Sequence, residues 1–165
     1  MSGLQKSGIV VGVDGTAASG AALGFALREG ALRGSAVEVV TAWAFEGPYD
    51  GILAPDSVDQ ARRNAERAQN AAVTVALATV AVPPLLSRTV VRGAAGPELV
   101  RAARGAKYLV VGNGRKNLAQ RALLGSVSRY CIQHAPIPVL VVPEGEAAGA
   151  SRRAPDPQAP AAVAV

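Results

Sequence analysis

Two short runs in this chain, Gly8 to Asp14 (Gly-Ile-Val-Val-Gly-Val-Asp) and Tyr108 to Val111 (Tyr-Leu-Val-Val), are apolar without alternation. A strand with one wet face reads apolar and polar in turn, so an unbroken run fits a strand buried on both faces. Strands of that kind occur where helices cover a parallel sheet on either side. The intervening segments supply the helices. From Ala17 to Leu32 alanines and leucines, with Phe25, recur at helical spacing, and Gly34 is placed to stop that helix. Val37 to Trp43 reads as a second strand. A long helix is expected from a cap at Asp56 or Ser57 through Ala78, closed by Pro83-Pro84. Leu85 to Val91 reads as the third strand, Pro97 to Arg104 as a short helix with proline in its first turn, and Tyr108 to Val111 as the fourth strand. Ser126 to His134 and Pro138 to Val142 complete the series as helix and strand. Strands alternating with helices imply right-handed crossovers and an open α/β sheet.

Composition narrows the class. With 165 residues, half of them apolar, the chain is the size of one domain with a full core. No apolar run reaches the roughly 20 residues a bilayer span needs, and Met1 to Lys6 lacks a secretory pattern, so a cytoplasmic protein without membrane contact is expected. A single cysteine, Cys131, excludes an intrachain disulfide framework and reads as a small core residue on the last helix. The net charge of +5 raises nucleic-acid binding. Its distribution argues against it, because the arginines are scattered and only three tyrosines, two phenylalanines and one tryptophan are available for stacking. From Glu144 onward the chain is rich in Ala, Pro, Gly and Arg without periodicity. The expected division is therefore a domain over 1–143 and a disordered tail over 144–165.

The stretch from Leu109 to Ser128 carries the chemistry. It reads as strand, glycine turn, basic loop and helix start, with Gly112 ending the strand and Gly125-Ser126 opening the helix. The first amides of a helix have no intrahelical partner and attract anions, and a glycine lets a ligand oxygen approach the backbone. In an open parallel sheet, ligands lie beyond the carboxyl ends of the strands, so Asp14, Ala42 and Gly112 are expected to border one crevice. Each residue also has a plainer reading. Asp14-Gly15 is a common turn pair, and Ser126 makes a sensible N-cap without a ligand. Ser128 equally suits a solvated helix surface. His134, just before Ala-Pro, reads as a C-terminal cap rather than a catalytic group.

These segments resemble the universal stress protein family over roughly residues 7 to 143. The resemblance rests on Val-Val-Gly-Val-Asp-Gly-Thr (Val10 to Thr16), Val-Val-Thr-Ala-Trp (Val39 to Trp43), Leu-Val-Val-Gly (Leu109 to Gly112), Leu-Leu-Gly-Ser-Val-Ser (Leu123 to Ser128) and the segment His134 to Pro143. It implies a Rossmann-like, five-stranded parallel sheet in the order 3-2-1-4-5, a homodimer paired through the last strand (Pro138 to Val142), and, in one branch, bound ATP, with Mg2+ as a possible companion. ATP-binding members carry an aspartate after the first strand and the motif Gly, two residues, Gly, nine residues, Gly, then Ser or Thr. Asp14, Gly112, Gly125 and Ser126 match. Arg115 stands where the middle glycine belongs, with Gly114 one position early. That side chain either obstructs the phosphates or binds them through its guanidinium.

The resemblance further implies that Asp14 accepts from ribose hydroxyls and that Ala42 offers backbone groups to the adenine edge. Val13 and Val111 then line the base pocket, Gly12 is a further nucleotide-binding residue, and Val127 and Ser128 offer first-turn groups to phosphate. The residues show a cradle without a Walker-type lysine or a positioned base, so a regulatory nucleotide-binding protein is expected rather than an enzyme, with slow ATP hydrolysis or autophosphorylation as the residual alternative. Ordering of the loop from Gly112 to Gly125 by the ligand would change a surface read by a partner protein. A nucleotide-free dimeric interaction module, or an AMP or cyclic-AMP binder, are the other readings.

Overall fold

The computed structural model describes residues 8–44, 55–113 and 124–145. Five strands and four helices alternate along the chain. They are β1 (Ile9–Gly12), α1 (Ala17–Arg33), β2 (Val37–Trp43), α2 (Pro55–Leu77), β3 (Leu86–Arg92), α3 (Ala95–Ala102), β4 (Tyr108–Gly112), α4 (Ser126–His134) and β5 (Val139–Val142). The strands form one sheet in the order β3-β2-β1-β4-β5, every pairing parallel, as expected.

Side chains alternate across the central strands and feed two cores. Ile9, Val11, Val37, Val39 and Val110 pack on one face with Leu23 and Leu27 of α1 and Val73 of α2. Val10, Val40, Leu109 and Val111 pack on the other with Leu99 of α3 and Cys131 of α4. Leu23 and Leu27 are fully buried, which stabilises the fold by roughly 1.5–3 kcal/mol each. The unalternating runs are apolar because both of their faces are covered.

Helix ends depart from expectation in several places, among them the end of α3 at Ala102 instead of Arg104. Pro55 is the first residue of α2, so Asp56 and Ser57 stand inside the helix instead of capping it; proline suits that position because its missing N–H has no partner there. The same helix ends at Leu77, well before Pro83-Pro84. Its last carbonyls are taken by tight turns, Thr79 N to Ala76 O (3.1 Å) and Val80 N to Leu77 O (3.2 Å), while the Thr79 hydroxyl donates to Ala76 O at 2.7 Å. In α3 the proline is third, not first, because any early position dispenses with the N–H. Gly125, not Ser126, is the N-cap of α4. Gly34 does stop α1, in the left-handed conformation and bonded back to Gly30 O. The expected tail lies outside the described residues from 146 onward, and the loop residues Gly114 and Arg115 do as well.

Candidate functional site

At the carboxyl ends of β1 and β4 the connections diverge, α1 leading to one side of the sheet and α4 to the other, and a crevice of about 240 Å³ opens there. Gly12, Val13 and Asp14 form one wall, Ala42 closes one end, and Val111, Gly112, Gly125, Ser126, Val127 and Ser128 form the other wall. Ten of the expected site residues therefore meet in one place, while Gly114 and Arg115 lie outside the described residues. Sequence reading missed Thr16, Ala18 and Ser19 at the start of α1, and Val40, Ala95 and Leu99, which give the crevice its apolar face. The Thr16 hydroxyl three residues before Ser19 was a legible capping signal; nothing in the order of residues pointed to Leu99, which the fold of α3 over β1 delivers.

The two helix starts at the crevice are in different states. At α1 the Thr16 hydroxyl accepts from Ser19 N (3.2 Å) and donates to Asp14 Oδ1 (2.6 Å), while Thr16 N donates to the same carboxylate oxygen (3.0 Å). Ser19 Oγ in turn accepts from Asp14 N at 3.3 Å and donates to Thr16 O at 3.0 Å. Burial pushes the Asp14 carboxyl upward, but hydrogen bonds from the Thr16 hydroxyl and amide, with smaller ones from Ser19 and the residue's own amide, outweigh it and hold the group below its ordinary value. The carboxylate is thus charged at neutral pH and held in a fixed orientation. At α4 the N-cap residue is Gly125, which offers no side-chain cap, and the first turn contains no acidic residue. Its amides face a crevice lined by Ser126, Val127 and Ser128, where a negatively charged group satisfies them.

Two residues have roles other than those expected. Ser128 is buried, and its hydroxyl donates to Gly112 O at 3.0 Å, tying α4 to the end of β4 instead of meeting solvent. Gly112 is glycine because α1 leaves no room. A Cβ there would lie 2.8 Å from Ser19 N and closer still to the Ala18 carbonyl. The missing side chain admits a helix backbone, in addition to whatever ligand approaches from the crevice. At the far end of α4, His134 Nδ1 meets Tyr130 O at 2.9 Å and its ring stacks on Tyr130 at 4.1 Å, in keeping with a cap.

The sequence profile of the Universal stress protein family matches residues 7–143. The chain belongs to the universal stress protein family. A universal stress protein of Mycolicibacterium smegmatis is 33% identical over 156 residues, covering 90% of this chain and 52% of that protein. The chain thus spans about half the length of the curated relatives it matches. Among solved structures, a universal stress protein in complex with cAMP is 28% identical, with a TM-score of 0.62 over 84% of this chain and 97% of that one. The universal stress protein UspA from Lactobacillus plantarum, 21% identical, has the same fold with a TM-score of 0.69 over 85% of this chain and 99% of its own. This universal stress protein has no helix among its described residues long and apolar enough to cross a membrane. Nor do those residues gather three or more His, Cys, Asp or Glu in a metal-holding group.

Proposed function

We propose that this universal stress protein binds an adenine nucleotide in the crevice and acts in the cytoplasm as a regulatory component of a stress response. The observation that carries the reading is the pairing of an α4 N-terminus whose N-cap is a glycine, without an acidic residue in its first turn, with an oriented, ionised Asp14 in one crevice. Phosphate sits at the α4 amides, where the helix dipole and free N–H groups favour negative charge. Asp14, an acceptor only, takes ribose hydroxyls. The wall of Val40, Leu99 and Val111 faces the base. Of the site residues, Gly12, Val13, Asp14, Ala42, Val111, Gly112, Gly125, Ser126, Val127 and Ser128 line the crevice, and Gly114 and Arg115, which lie outside the described residues, are further nucleotide contacts in this proposal.

The cAMP complex of the 28% identical relative supports the adenine assignment. A space of 240 Å³ is small against the ~300–1,000 Å³ of ordinary small-molecule sites, which favours AMP or cAMP as much as ATP. With ATP, Mg2+ would be held chiefly by the phosphates, as that ion keeps most of its waters and takes few protein ligands. Isothermal titration of nucleotide-stripped protein with AMP, cAMP and ATP, the last with and without Mg2+, tests the reading. Binding that Asp14→Ala weakens at least about tenfold is the expected result, the loss of a charge-assisted pair of hydrogen bonds being worth roughly 1.5–3 kcal/mol. Absence of heat with every nucleotide overturns it in favour of a nucleotide-free interaction module.

A homodimer through β5 is part of the same proposal. Of the two sheet edges, β3 presents Ser87, Arg88, Thr89 and Arg92 among its residues, whereas β5 is wholly apolar, Val-Leu-Val-Val. An apolar edge strand invites pairing that charge would otherwise discourage.

A further inference from the structure

One buried polar side chain is unexplained by packing or by the crevice lining. Gln69, on α2, is 3% exposed, and its Nε2 lies 3.0 Å from Thr89 O, 3.1 Å from Thr41 Oγ1 and 3.3 Å from Val39 O. Two of these partners are carbonyl oxygens, which only accept, so the amide nitrogen and not its oxygen faces them. Thr41, also 3% exposed, spends its single hydroxyl hydrogen on Val13 O at 2.7 Å and therefore accepts from Gln69. The chain of donors runs from Gln69 through Thr41 to the Val13 carbonyl.

That carbonyl shares a peptide unit with the Asp14 N–H, which donates to Ser19 Oγ at 3.3 Å. A peptide unit is planar, so holding its oxygen from β2 and its N–H from α1 fixes the plane from which the Asp14 side chain departs. Val13 N is also held, by Val40 O at 2.9 Å. We infer that Gln69 and Thr41 are positioning residues of the crevice, acting through the Val13–Asp14 peptide to aim the Asp14 carboxylate. Neither lines the crevice. The relay makes α2, a helix that supplies no residue to the crevice lining, a determinant of how Asp14 meets its ligand, and so rests on the nucleotide reading for its consequence but not for its geometry.

The test uses the full chain with Thr41→Val, which removes the hydroxyl and keeps the shape, Thr41→Ser, which keeps the hydroxyl, and Gln69→Leu. The Asp14 carboxyl carbon is titrated by NMR without nucleotide, and cAMP binding is measured calorimetrically. In the wild type and Thr41→Ser the carboxyl titrates below 3.8. In Thr41→Val and Gln69→Leu it moves up toward that value, and cAMP affinity falls by about three- to tenfold, the scale of one misplaced hydrogen bond. A folded Thr41→Val protein whose Asp14 titrates as in the wild type overturns the relay, whatever binding does. A wild type that binds no nucleotide while Asp14 responds as described overturns the ligand assignment and supports the relay.

Discussion

Asp14 and Cys131 show how residue-scale environment separates a charged group from a neutral one. The Asp14 carboxyl is depressed, so its hydrogen bonds to Thr16 contribute stability in full above the ordinary value of 3.8, and that contribution is lost as pH falls through the lower native value. Urea unfolding of the wild type and Asp14→Ala should therefore differ by a constant amount above pH 3.8 and converge below it. A difference that grows with acidity would contradict this. Cys131 is the opposite case. It has no exposure, and burial pushes its thiol up to about 11, so almost none is thiolate at neutral pH. Alkylation by iodoacetamide at pH 7.5 is expected to proceed only on unfolding, and a rapid reaction in buffer would place the thiol elsewhere. The sequence placed Cys131 in the core correctly, because a small residue flanked by Tyr130 and Ile132 on a helix has few alternatives.

Among the elements, the meeting of α1 with the end of β4 is the tightest seam around the crevice. Because the atoms that a Gly112 Cβ would meet are helix backbone, no side chain can swing aside to admit it. Gly112→Ala should cost about 2–4 kcal/mol, at or above the usual range for overpacking, because α1 itself must move. Gly20, the fourth residue of the same helix, has nothing within 4 Å of where its Cβ would be. Gly20→Ala should stabilise by about 0.5–1 kcal/mol through helix propensity alone. Chemical denaturation reads both signs, and a neutral Gly112→Ala would mean that α1 is not seated on β4 as described. The glycine at 112 was legible in the sequence as a special position, but its reason was only half legible. A close approach was foreseen; that a helix backbone occupies the space followed from how α1 crosses the sheet.

For the whole molecule, the unequal edges are the decisive property. The polar β3 edge resists pairing and the apolar β5 edge does not. If the proposed homodimer forms through β5, Leu140→Arg converts it to a monomer on a sizing column while melting cooperatively. Leu140 also packs partly against the core, so the circular dichroism melt distinguishes lost pairing from lost folding. A dimer that persists with a normal melt would put the interface on another surface.

Strand runs, helix periodicity and chain order determined that the sheet is parallel, because a parallel sheet buried on both faces leaves unbroken apolar runs that few other architectures tolerate, while the strand order was implied by the family resemblance. They also determined most of the crevice, since residues that follow strands must gather at the carboxyl edge of such a sheet. Helix ends were less legible, as at Leu77 and Gly125, because capping depends on which carbonyls and amides the local turn leaves free. Only the tertiary structure brought Leu99 to the crevice wall, turned Ser128 inward to Gly112 O, and joined Gln69 to Val13 through Thr41. Those contacts link residues far apart in sequence, and hydrogen bonds across such separations follow from the three-dimensional course of the backbone, which no local pattern of residues records.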